Sequence, residues 1–164
     1  MLNMHQITNC NIIKDMVFGG KATITVESRR SGKWFTYKIR KSKTSSTYFV
    51  SVLNGPDNTR NYTYIGAIFN TQVFKHTQNS KVLPSAVSFI AFDWFFRTML
   101  NNDAKLNESL NVYHSGTCAR CGRKLTTPES VLTGFGPECS ALKGVIRVKS
   151  NTKVKSEPEL SFNK

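Results

Sequence analysis

Three cysteines near the end of the chain constrain its fold more than any other feature. They lie in His114-Ser-Gly-Thr-Cys118-Ala-Arg-Cys121-Gly122 and in Gly134-Phe-Gly136-Pro137-Glu-Cys139. Cys118 and Cys121 form a Cys-x-x-Cys knuckle, and Gly122 supplies the backbone freedom that lets two thiolates reach one ion. Pro137 suits the first turn of a helix, so the third thiol is expected at a helix start. Converging thiolates suit zinc, or less well an iron–sulfur cluster. The start of the chain lacks a signal-peptide pattern and the cysteines are few, so a reducing compartment is expected and disulfides are disfavoured.

Structural zinc takes four ligands. His114 is the nearest candidate, completing His-x3-Cys-x2-Cys-x17-Cys, and neutral imidazole ligates zinc well. Cys10 or a water are the alternatives. With His114 in place the centre would be one structural Zn2+, not a catalytic one. A knuckle, a connector and a ligand at a helix start resemble a treble-clef zinc site, one form of zinc finger.

The string Cys118-Ala-Arg-Cys121-Gly122-Arg123-Lys-Leu125-Thr-Thr-Pro128-Glu-Ser130, closing with Gly134-Phe-Gly136-Pro137-Glu-Cys139, resembles a family of uncharacterised zinc-module proteins common in bacteriophages and prophages. The resemblance spans roughly residues 111 to 143. It implies a zinc site and a phage or prophage origin, and it carries no activity.

The formal net charge is +13, which favours a polyanionic partner through counterion release. The charge is concentrated. Lys21, Arg29, Arg30, Lys33, Lys38, Arg40, Lys41 and Lys43 are opposed in that stretch only by Glu27. Ala22, Ile24 and Val26 alternate with polar residues as a half-buried strand does. In the next run Phe35, Tyr37 and Ile39 face one way, while Trp34, Thr36, Lys38 and Arg40 face the other. A strand showing Trp, Lys and Arg on one side is built like a stacking and phosphate-contact surface. Tyr48–Leu53 and Asn61–Phe69 read as further strands, with Gly66 at a bulge or close contact. Around the knuckle, Arg120, Arg123, Lys124 and Lys143 extend the basic character.

One helix is expected over about Pro84–Leu100. Its stripes Val87/Ile90/Ala91/Trp94 and Phe89/Phe92/Phe96/Met99 imply burial on most of its surface. The fold class expected is therefore α+β. A mainly antiparallel sheet of about four strands would be packed by one aromatic-rich helix and followed by a small treble-clef-like zinc module. The domain division is 1–107 for the sheet domain, 108–149 for the zinc module and 150–164 for a disordered tail.

No phosphate-binding loop, catalytic triad order, deaminase pattern or paired carboxylate motif is present, so an enzyme is not expected. No stretch suits a membrane span, no small-molecule substrate is evident, and the protein is expected in the cytoplasm, the host's if phage-encoded. The function expected is a phage-type, zinc-containing accessory protein that binds DNA or RNA largely through phosphates. Its contacts would be Lys33, Trp34, Lys38, Arg40, Lys41, Lys43, Arg120, Arg123, Lys124 and Lys143. The alternative is a phage protein that binds and modulates a host protein or ribonucleoprotein.

Overall fold

The structure, a computed structural model, describes residues 5–57, 59–101 and 103–143. The chain opens with strand β1 (His5–Ile7) and helix α1 (Cys10–Val17). Asn9 caps α1, its side chain accepting from the amides of Asn11 and Ile12, which satisfies donors that a helix start leaves unpaired. Cys10, Ile13, Met16 and Val17 form its buried stripe.

Strands β2 (Lys21–Ser28), β3 (Trp34–Lys41), β4 (Thr47–Leu53) and β5 (Tyr62–Phe69) follow as antiparallel neighbours. The alternation expected of residues 20–70 is thus found. A register shift at Val50/Ser51 leaves Ile65 as the extra residue of a bulge beside Gly66. A Cβ on Gly66 would stand 2.5 Å from the Lys75 carbonyl oxygen, so only glycine lets the neighbouring strand approach.

The remaining elements are β6 (Val73–Lys75), α2 (Val87–Asn101), α3 (Asp103–Ser109), β7 (Leu110–His114), α4 (Pro128–Thr133) and α5 (Pro137–Lys143). The seven strands among the described residues form one antiparallel sheet in the order β1-β7-β2-β3-β4-β5-β6. This corrects the expected four-stranded sheet packed by one helix: the sheet has seven strands, and four shorter helices join α2, which occupies the stretch where the one helix was expected. The physical reason is local. β1 and β6 have three residues each, too few to show a period. β7 pairs with β1 on one side and β2 on the other, covering Ile24–Ser28 of an edge that would otherwise expose its amides and carbonyls.

The helices lie on one side of the sheet. Tyr37 donates its hydroxyl to the Ser88 carbonyl at 2.8 Å, and Tyr48 donates to that of Phe18 at 3.1 Å. Burial pushes the Tyr37 hydroxyl's pKa far up, so it stays a donor. Phe92 meets the rings of Tyr37, Phe74, Phe95 and Phe96, and such edge and offset packing adds to the burial of the rings. Only one stripe of α2 is buried, however. Val87 and Ile90 are 61% and 53% exposed, because the helix lies over a single layer and its second stripe has nothing to cover it.

The core runs without a break into the cysteine segment: Cys118, Ala119, Leu125, Phe135 and Cys139 belong to the same cluster as Ile13 and Met16. The expected tail 150–164, and residues 144–149 of the expected module, lie outside the described residues. No described helix is long and apolar enough to cross a membrane.

Candidate metal centre and open sheet face

The knuckle is built by a small hairpin. Thr117 bridges Lys124, the Cys118 amide donates to the Arg123 carbonyl at 2.8 Å, and Gly122 turns the chain at φ +82°. A residue with a Cβ is strained at that angle. On the far side, Thr127 caps α4 with its hydroxyl accepting from the Ser130 amide, and Gly134 ends that helix at φ +78°. Cys139 then sits in the first turn of α5, behind Pro137. The Ala119 amide donates to the Gly134 carbonyl at 2.9 Å, which ties the two halves together.

The sulfurs of Cys118, Cys121 and Cys139 lie within 4.8 Å of one another, and no cysteine is disulfide-bonded. These three residues can hold a metal ion. The donor set fits one. Burial alone would push the Cys118 thiol up, but amides of Cys121, Gly136 and Arg120 bond its sulfur and bring it down to about 7; the Arg120 amide stands 3.4 Å away. Amide donors aimed at a sulfur stabilise the thiolate that metals require. Cys139 moves the other way, to about 11, through burial and the two neighbouring sulfurs. Thiols this close cannot all ionise without a cation among them.

The structure does not bring His114, expected as the fourth ligand, into this cluster. Its Nε2 lies 2.7 Å from the Val131 carbonyl oxygen and its Nδ1 accepts from the Gly116 amide at 3.0 Å. Both ring nitrogens are engaged with backbone. That pairing requires the neutral tautomer with its proton on Nε2, and burial holds the ring's pKa below the ordinary value. Cys10 is also elsewhere, its thiol 3.7 Å from the Met99 carbonyl oxygen. The inference that the centre is structural, not catalytic, rested on His114 and loses that support.

The second feature is the side of the sheet away from the helices. By strand parity it presents Trp34, Thr36, Lys38 and Arg40 of β3, Phe49 and Ser51 of β4, and Tyr62 and Tyr64 of β5. Trp34 is 57% exposed and Phe49 44%. Thr25 and Thr36 share a hydroxyl hydrogen bond of 2.7 Å across β2 and β3. Phe49 meets Tyr64 edge-on at 6.1 Å.

The basic residues expected as contacts divide into three sets. Lys38 and Arg40 are on this face but partly committed. Lys38 Nζ donates to the Thr59 carbonyl and sits 4.1 Å above the Tyr62 ring, and Arg40 donates to the Ala22 carbonyl at 2.6 Å. Desolvation lowers the pKa of both. Lys33 and Lys43 are exposed in turns at opposite ends of β3, while Lys41 falls on the opposite parity, beside Gly20 at the sheet's end. Arg120, Arg123 and Lys124 are exposed on the knuckle. The knuckle abuts this same end: the Lys21 amide donates to the Ala119 carbonyl at 2.6 Å, and Gly122 faces the Lys21 stem. The side chain of Lys143 lies outside the described residues. Phe49 escaped the sequence reading because Tyr48-Phe49-Val50 are all apolar, so alternation gave its side no signature.

A model described as a family of unknown function (DUF6011) matches residues 109–142, the stretch from the last residue of α3 to the penultimate residue of α5. No curated protein and no solved structure matches the chain.

Proposed function

We propose that this chain is a non-catalytic, zinc-containing accessory protein that binds single-stranded nucleic acid on its open sheet face. One observation carries the reading: Trp34, Phe49, Tyr62 and Tyr64 share a helix-free side of the sheet, with cations at both ends of the strands. Exposed rings offer stacking platforms for unpaired bases, and flanking lysines and arginines neutralise phosphates. Either DNA or RNA meets those requirements. The ion is zinc on the chemistry of three thiolates. A phage-encoded role in the host cytoplasm fits the resemblance and thiols kept reduced.

The test is fluorescence anisotropy of labelled single- and double-stranded oligonucleotides with the zinc-loaded protein across salt concentrations. Tighter binding of single strands, falling steeply with salt, is expected. No binding of either at low salt sinks the proposal. A protein-binding role is the second reading, favoured by the exposed aliphatic run Leu83, Val87 and Ile90; a partner that survives nuclease treatment in pull-downs would support it.

A further inference from the structure

The three cysteines provide three donors, and among the described residues no other His, Cys, Asp or Glu joins their cluster. The two side chains that spacing or composition would nominate are bonded elsewhere, His114 to Val131 and Gly116, and Cys10 to Met99. Nor are the sulfurs sealed in. All three cysteines line a cavity of about 440 Å³, whose wall also includes Arg123, Lys124, Ser130 and Glu138. Cys121 is exposed. A space of that size admits a small molecule larger than water.

We propose that the fourth coordination position of this centre is taken by no described residue but by an exogenous donor, a monodentate nitrogen or sulfur ligand that enters through the cavity. Zinc takes four donors, and a site with three protein ligands keeps one position open. Three thiolates around a divalent ion leave one net negative charge, so a hard anion is a poor fourth ligand and a borderline or soft donor suits it. Arg123 and Lys124 in the wall offset the charge of the thiolates. The step is ligand binding alone. Cys118, Cys121 and Cys139 would hold the ion, and the incoming donor would contribute its lone pair to the remaining position with no bond broken in the protein and no change of oxidation state. This inference is independent of nucleic-acid binding and stands or falls without it.

The full chain loaded with cobalt(II) gives the first test, since ligand-field bands report the donor set. Titration with imidazole should shift those bands saturably, with one imidazole per ion and the cobalt retained after desalting. X-ray absorption of the zinc-loaded chain should find three sulfurs and one lighter neighbour. Four sulfurs, bands that imidazole leaves unmoved, or a chain that binds no cobalt would each overturn the proposal.

Discussion

One strand carries two surfaces. On β3, Tyr37 and Ile39 are fully buried under the helices, while Trp34 on the alternate side is more than half exposed. Cross-strand partners repeat the contrast, with Val50 buried and Phe49 exposed on β4. The helix-covered side holds the fold together through aromatic burial. The open side carries Trp34, Phe49, Tyr62 and Tyr64 without a covering helix, so these rings contribute less to stability and stay available to a ligand.

The sharpest way to break this comparison is on the covered side. Phe92→Ala, which removes a ring touching four others, should cost about 3–5 kcal/mol in urea unfolding. Gly66→Ala drives a methyl into the backbone of β6 and should cost about 1–3 kcal/mol by the same measurement. Trp34→Ala inverts the pattern: stability should change by less than about 0.5 kcal/mol. Its affinity for a single-stranded oligonucleotide should fall by about 1–3 kcal/mol. If Trp34→Ala unfolds the protein, the two sides are not separable and the comparison fails.

Acid should act on the covered side as well. Burial, with His5 adding repulsion against the hydrogen bond to Val131, holds the His114 pKa below its ordinary 6.5. The unfolded chain therefore takes up that proton first as pH drops. The stability gained by keeping the ring neutral is full above about pH 6.5 and is lost as pH falls below it. The urea midpoint should decline through that window, and a flat profile would contradict the neutral tautomer assigned here. The smallest effect is expected at a strand end. Lys33→Ala should reduce the slope of log affinity against log salt by about 0.7 if it meets one phosphate of a single strand.

The central hairpins were legible because β2 and β3 alternate over eight residues each. Their two sides separated on paper much as they do in space. Helix α1 was not read, although Cys10, Ile13, Met16 and Val17 keep helical spacing behind a capping Asn9, because eight residues make a weak period. Nor was β7. Leu110–His114 alternates over only five residues, and its place between β1 and β2 depends on partners more than eighty positions away. The cysteine cluster could be read from spacing, because a knuckle and a helix start are local geometry. The surroundings of His114 could not, because spacing says nothing of the two backbone groups that bond its ring.

The place of β7 also sets a timetable. β1 has no partner but β7 within the sheet, and His5 finds its opposite number only at His114. During synthesis β2 to β5 can zip as neighbours while β1 and the free edge of β2 wait for residues 110–114. Pairing at such separation is slow, and an open β2 edge is a template for association with other chains. A chain cut before residue 110 should therefore aggregate where the full chain folds, its strands intact but its sheet left ajar.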